Sequence, residues 1–262
     1  MSLRAFFKYV DKEIDGILRE KFEIEEGRVI PDVTELSYNN KGKLLDAAVL
    51  YVDMRGSTDL TDLLRQTTVA KIYKCFLNEM IFAARYKGGK IRGFAGDRIM
   101  VLFDGERPCS NAVETALIMQ TIVRSILNSK LAGYFGGPIS CGIGIDFGRI
   151  LIAKVGMRRD PNNNDLVWIG QPANYASKFT DVANGGEIII SQVVYDRMTK
   201  SLKYMNSPLP GISSWTCSRV IINGKPVVTY KRNKTPVKEN QGNTSAVPEI
   251  LKTILPGVFG AR

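Results

Sequence analysis

The ten residues from Val49 to Thr58, VLYVDMRGST, constrain the fold more than any other stretch of the chain. Mostly apolar residues run into one carboxylate, Asp53, and then into a tight Arg55-Gly56-Ser57-Thr58 corner. A strand that ends this way carries Asp53 to the edge of a sheet, and the corner exposes backbone N–H groups. A carboxylate beside exposed amides is equipment for a metal-bound polyphosphate. The same pattern also serves as an ordinary turn with a helix cap, so a second feature has to decide between the two.

That feature is Gly88 to Phe103, GGKIRGFAGDRIMVLF. It reads as strand, short Ala95-Gly96-Asp97 turn, strand: a β-hairpin with Asp97 at its tip. Asp53 and Asp97 then stand on neighbouring turns, with one helical segment between them. In that segment Val69, Ile72, Tyr73, Phe76, Met80 and Ala83 form a single apolar stripe; Thr67 or Thr68 is positioned to cap it and Gly88-Gly89 to end it.

The rest of the chain extends this pattern. Leu3, Phe7, Val10, Ile14 and Ile17 fall at alternating four- and three-residue steps, which predicts an amphipathic helix over residues 2–22, packed on its own domain or on a dimer partner. Residues 23–44 read as a charged connector. Ser110 is placed to cap a helix running to about Leu127. Ile139–Ile145 and Arg149–Val155 read as two strands around an Asp146-Phe147-Gly148 turn, and Asn162-Asn163-Asn164 as a polar loop. Gly170 to Val182 predicts a helix, Glu187 to Ile190 a strand with Ser191 capping a last core helix, and Val220–Ile222 with Val227–Tyr230 a closing hairpin. Beyond Lys231 the Lys, Asn, Thr and Pro content predicts a flexible tail with a short amphipathic helix at Ile250 to Ile254. The organisation expected is 1–44 helix and connector, 45–231 a single α+β domain, and 232–262 tail.

Composition excludes whole classes of function. No histidine is present, which removes every histidine triad, general base and metal ligand. Lys and Arg number 36 against 26 Asp and Glu, yet no nucleic-acid motif accompanies the excess; a basic surface suited to small anions is the simpler reading. The four cysteines are scattered, which favours buried reduced thiols over zinc or disulfides. No apolar run approaches the roughly 20 residues that span a bilayer, and the N-terminus turns acidic too early for a secretory signal. The expectation is a cytoplasmic protein with no membrane or nucleic-acid partner.

The Asp53 corner, the helix, Gly88-Gly89 and the Gly96-Asp97 hairpin together resemble the class III nucleotide cyclase catalytic domain. The resemblance covers about residues 45–230. It implies a ferredoxin-like β-α-β-β-α-β core extended at the C-terminus, a mixed sheet flanked by helices. It also implies a lyase that joins a nucleoside triphosphate's 3′-hydroxyl to its own α-phosphate and expels pyrophosphate. Two divalent cations, Mg2+ or Mn2+, are implied, held by Asp53, Asp97 and the backbone carbonyl of Met54. Gly56, Ser57 and Thr58 are the implied phosphate cradle, joined by Arg149 after Phe147-Gly148 and by Lys225 in the closing hairpin. Asn174 and Lys178, four apart on the predicted 170–182 helix, are the implied catalytic pair acting on ribose and α-phosphate. In the family that helix reaches into a partner's metal site, so a homodimer with shared sites is implied: one protomer gives Asp53, Asp97 and Gly56, the other Asn174, Lys178 and Arg149.

The chain departs from the family in three places. Lys178 stands where an arginine is usual; it keeps the charge and loses the planar fork. Gly93 stands where adenylate cyclases carry a base-reading lysine, and Val167 where they carry an aspartate or threonine. Tyr51, on the face of Asp53, Arg92 beside Gly93, and Trp168 are the remaining groups that can shape a base pocket. This pattern is most like the pyrimidine cyclases of bacterial anti-phage (Pycsar) defence, which make cyclic UMP or cyclic CMP for a separate effector. An arginine near the base edge favours UTP over CTP, since uracil presents two carbonyl acceptors. An adenylate or broad-specificity cyclase, and a degenerate domain that binds nucleotide or a partner without turnover, remain as alternatives.

Overall fold

The computed structural model describes residues 1–135, 137–157, 160–205, 207 and 211–233. Its frame is one mixed sheet. Strand β2 (Lys41–Arg55) pairs antiparallel with β4 (Arg98–Phe103) on one side and with β5 (Ser140–Met157) on the other. Strand β3 (Lys90–Ala95) closes the hairpin with β4, and β7 (Ile188–Ser191), β9 (Lys225–Arg232) and β8 (Thr216–Ile222) extend the sheet beyond β5, giving the order β3-β4-β2-β5-β7-β9-β8. Two further strands, β1 (Glu23–Glu26) and β6 (Asp160–Ile169), pair with β2 and β5 respectively. The order of elements contains the expected β-α-β-β-α-β core and its C-terminal extension.

Period-two alternation along β2 decides which side chains go where. Ala48, Leu50, Val52 and Met54 face one layer of helices with Ile99, Val101, Phe103, Ile143 and Ile145. Helix α3 (Gln66–Tyr86) lays Ile72, Tyr73, Phe76, Met80 and Ala83 of the stripe read from the sequence on this face, and buries Val69 as well. Burial of each large side chain there contributes roughly 1.5–3 kcal/mol. Helix α4 (Pro108–Thr121) lies beside it. The opposite face, with Leu45, Ala47, Val49, Met100 and Leu102, is covered by α6 (Gln171–Val182) through Ala173 and Ala176.

Several local expectations give way to pairing. Asp146, Phe147 and Gly148 form no turn: they continue β5 opposite Val49, Ala48 and Ala47. Turn-forming residues yield here because β2 offers an unbroken ladder to β5 from Ser140 to Ala153. Asn162 to Asn164 likewise belong to β6 rather than a loop, with Asn164 opposite Gly156. Neither threonine caps α3; its N-cap is Arg65, without a side-chain bond. Nor does Ser110 cap α4, which begins at Pro108; its buried hydroxyl accepts the Thr199 amide instead at 3.1 Å. That helix does not stop at Leu127. A π-helical stretch, Ile122–Leu127, leads into α5 (Asn128–Phe135). Of the cysteines, Cys109 and Cys141 are buried but Cys75 and Cys217 are exposed.

The N-terminal region is more involved than a connector. Helix α1 (Leu3–Arg19) forms as expected, yet none of its residues is buried. After it, β1 pairs parallel with the start of β2, and Ile30, Val33 and Leu36 pack on the α6 face of the sheet. Ile30 is pinned there by its amide, which donates to Asp104 Oδ2 at 2.7 Å. Strand β9 runs to Arg232; the rest of the expected tail, with its helix at 250–254, lies outside the described residues. Among the described residues no helix is long and apolar enough to cross a membrane.

Asp146 is a buried carboxylate of this frame, 4 % exposed. Burial pushes it up to about 6, against the lowering pull of the Ser191 hydroxyl and the Phe147 amide. A raised folded-state value means the stabilisation is full at acid pH and is lost as pH rises through about 6; the displacement corresponds to on the order of 3 kcal/mol. Chemical denaturation of Asp146→Asn should therefore show the variant gaining on the native chain by about 1 kcal/mol between about pH 5 and about pH 8. A pH-independent difference would contradict this.

Candidate active site

Asp53 sits two residues before the end of β2, on the α6 face of the sheet with Tyr51 and Arg55. Its Oδ2 accepts from Arg55 Nη1 at 2.8 Å and from Arg98 Nη2 at 3.1 Å. Both arginines are anchored to α6. Arg55 donates to the carbonyls of Thr180 and, at 3.0 Å, Ala183. Arg98 donates to Ser177 Oγ at 3.2 Å and to Asp181 Oδ1 at 2.7 Å.

Two glycines of β5 make this approach possible. Gly142 lies opposite Asp53, and a Cβ there would occupy the space of the Arg55 guanidinium. Gly144 lies opposite Tyr51, where a Cβ would collide with the Ala176 carbonyl and the Thr180 backbone. The Thr180 hydroxyl reaches the Tyr51 carbonyl at 3.2 Å, so the C-terminal half of α6 rests directly on the strand that carries the carboxylate.

Asp97 occupies the turn between β3 and β4, after Gly96. Its Oδ2 is buried and has no hydrogen-bond partner. Burial raises its carboxyl above the usual range, its own amide lowers it, and the charge of Asp53 raises it further. Two carboxylates close enough to repel, one with an orphaned oxygen, fit a divalent cation whose remaining ligands come from a nucleotide and water. Among the described residues no cluster of three or more acidic or cysteine side chains competes for that role. Gly56 holds a left-handed conformation (φ 72°) and opens the short helix α2 (Ser57–Leu63), so Ser57 and Thr58 offer first-turn amides without intrahelical acceptors.

Of the base-pocket candidates, Tyr51 and Trp168 share the α6 face, while Val167, next to Trp168 on β6, points to the other. Tyr51 is half-buried, and its hydroxyl lies 3.2 Å from Met100 Sδ. Gly93 pairs with Met100, and beyond Met100 Cβ at 3.8 Å nothing fills the space of a side chain there. Arg92 sits in a bulge of β3. Its guanidinium donates to Asp32 at 2.6 Å and to the Ile91 carbonyl, while its Nε is buried without a partner. Trp168 packs against the same apolar cluster as Tyr51, and its Nε1 is also buried without a partner. Val167, half-buried and paired with Ala153, supplies no polar group.

The other candidates stand apart from the two aspartates within one chain. Asn174 and Lys178 are exposed on α6, directed away from its packed Ala173 and Ala176. Lys178 Nζ is 3.6 Å from Asp181 Oδ2. Arg149 is exposed and pairs with Glu26, and Lys225 is exposed at the start of β9. Arg55, Arg98 and Asp181 were not singled out from the sequence. The signal for Arg98 is present: it shares the period of Met100 and Leu102 and so faces Asp53.

A model of the adenylate and guanylate cyclase catalytic domain matches residues 41–215. The chain is 36% identical over 212 residues to a uridylate cyclase of Burkholderia cepacia, spanning 79% of this chain and 87% of the relative. It is 32% identical to a uridylate cyclase of Xanthomonas perforans over 76% of this chain and 84% of that one. Among solved structures, the guanylyl cyclase Cya2 matches with a TM-score of 0.63 at 23% identity over 75% of this chain and 97% of its own. The adenylyl cyclase CyaB from P. aeruginosa matches with a TM-score of 0.62 at 24% identity over 74% and 96%. With the fold and the family model in agreement, the chain belongs to the class III adenylate and guanylate cyclase family.

Because the α6 backbone occupies the space beside Gly144, Gly144→Val should force the helix off β2. Urea denaturation should show a loss of about 2–4 kcal/mol, against well under 1 kcal/mol for Gly133→Ala, whose Cβ meets nothing.

Proposed function

We propose that the chain is a uridylate cyclase that works as a homodimer, converting UTP to 3′,5′-cyclic UMP and pyrophosphate. The observation that carries the choice of base is the pair of orphaned donors, Arg92 Nε in the bulge beside Gly93 and Trp168 Nε1 in the apolar cluster that also holds Tyr51. Buried N–H groups without acceptors select a ligand that supplies them. Uracil offers O2 and O4, whereas cytosine brings an amino donor to one of those positions. Gly93 and Val167 add no side-chain polar group, so the polar pair of an adenine reader is missing. The names of the Burkholderia and Xanthomonas relatives support the same reading.

In this proposal Asp53, Asp97 and the Met54 carbonyl hold two divalent cations, Mg2+ or Mn2+. Bound there, the cations would ease deprotonation of the 3′-hydroxyl and shield charge on the leaving pyrophosphate. The chain's own residues do the positioning. The amides at Gly56, Ser57 and Thr58, with Arg149 and Lys225, bind phosphate oxygens. The partner's α6 presents Asn174 to the ribose and Lys178 to the α-phosphate, in keeping with their exposure. The 3′-oxygen forms its bond to the α-phosphorus as the bond to the pyrophosphate oxygen breaks in line, and the hydroxyl proton leaves to solvent. By resemblance to the anti-phage group, cyclic UMP then acts as a cytoplasmic messenger read by a separate effector.

Purified chain given each of the four triphosphates with Mn2+ should yield cyclic UMP fastest; a preference for ATP would overturn the reading. Tyr51→Ala should lower kcat/KM for UTP by about 10- to 100-fold and narrow the UTP-to-CTP ratio, without dissolving the dimer. For the shared site, Asp97→Asn and Asn174→Ala chains should each be inactive alone. Equal mixing with subunit exchange should restore about a quarter of native activity, since half the dimers are mixed and each has one intact site. Zero activity after demonstrated exchange would rule out sharing.

A further inference from the structure

Asp53 Oδ2 carries two guanidiniums, and the two are held differently. Arg55 lies in the space left by Gly142 and is fixed to two backbone carbonyls, Thr180 in α6 and Ala183 at its C-cap, acceptors that stay put. Arg98 has a choice of carboxylates. One Nη2 spans Asp53 at 3.1 Å and Asp181 at 2.7 Å, while Nη1 rests on Ser177 Oγ. Asp181 is in turn shared, because Lys178 approaches its other oxygen at 3.6 Å. The four side chains form one line of alternating charge: Asp53, Arg98, Asp181, Lys178. It starts at a proposed cation ligand and ends at the proposed α-phosphate residue.

We propose that Arg98 is a positioning residue that divides itself between Asp53 and Asp181, so that a cation taking Asp53 drives Arg98 wholly onto Asp181 and releases the same chain's Lys178 toward the substrate in the partner's site. The inference rests on the reading of Asp53 as a metal ligand. A divalent cation on Asp53 repels both guanidiniums and competes for the same carboxylate charge, so the arginine that has a second carboxylate to go to is the one displaced. Arg98 already makes its shorter contact to Asp181, and the half-buried setting strengthens that alternative: the side chains of Arg98, Asp53 and Asp181 are 24%, 15% and 37% exposed. Once Asp181 is fully engaged, its weaker hold on Lys178 is the contact that gives way. Lysine at this position fits the arrangement, since a single ammonium on a flexible stem detaches from one oxygen more readily than a bidentate fork would. The consequence is order across the dimer: a chain's Lys178 becomes available to the partner's site after the chain's own metal site is loaded.

The test is Mn2+ binding to the full-length dimer without nucleotide, followed by electron paramagnetic resonance of the free ion. Arg98→Met keeps the stem's packing and removes the competitor, so Mn2+ should bind at least about fivefold tighter than to the native chain. Asp181→Asn leaves Arg98 Asp53 as its one carboxylate partner, so Mn2+ should bind at least about threefold weaker. The opposite signs are the signature, because general loosening of the site would weaken both. Unchanged or weaker binding in Arg98→Met, or unchanged binding in Asp181→Asn, overturns the proposal. Should Arg98→Met fail to fold, the exposed isosteric Asp181→Asn decides alone. Asp53→Asn separates the two levels of failure: if it binds Mn2+ like the native chain, the metal reading of Asp53 falls; if it loses Mn2+ while the other two variants behave as native, only the role of Arg98 does.

Discussion

The long antiparallel ladder between Lys41–Arg55 and Ser140–Met157 is the constraint on which the rest of the molecule depends. It fixes the register that puts Gly142 opposite Asp53 and Gly144 opposite Tyr51. Only with hydrogen at those two positions can the Arg55 guanidinium and the backbone of α6 come down onto β2. A slip of one residue would turn every side chain of β2 over, sending Asp53 into the apolar layer under α3 and α4. Placement of the acid and packing of the core are therefore one event.

Charge then organises the groups that the ladder has assembled. Asp53 is held by two arginines, both tied to α6, while Asp97 keeps an orphaned oxygen beside it. Such a site is held ready by paired charge on one side and left unsatisfied on the other. Unsatisfied buried polar atoms are uncommon, and three of the six among the described residues belong to site candidates: Asp97 Oδ2, Arg92 Nε and Trp168 Nε1. The surplus of lysine and arginine thus has a specific use near the carboxylates as well as a general one toward anionic substrates.

The N-terminal segment contributes more than its composition suggested. Asp32 holds the Arg92 guanidinium, and Ile30, Val33 and Leu36 cover the same face as α6. A stretch that looks like a connector, rich in charge and turn residues, becomes part of the wall around the base-pocket candidates. Sequence periodicity misses such segments because their apolar residues are too few and too irregular to mark a helix or strand.

By itself the sequence determined the strand ending at Asp53, the hairpin tipped by Asp97, the α3 stripe and the closing hairpin. Each is encoded by local period or turn chemistry that neighbours did not override. The resemblance built on those residues led to the family that the domain model and the relatives support. Tertiary structure alone decided that Asp146-Phe147-Gly148 stays in a strand, that Asn162 to Asn164 pair, and that helix α1 leaves its apolar stripe exposed within the chain. It alone also tied Arg55 and Arg98, the two arginines on Asp53, to a distant helix through the Thr180 and Ala183 carbonyls, Ser177 and Asp181. The physical reason is the same in each case: backbone pairing and charge compensation are satisfied by whatever lies alongside in space, and a local reading of the chain contains no account of what that will be.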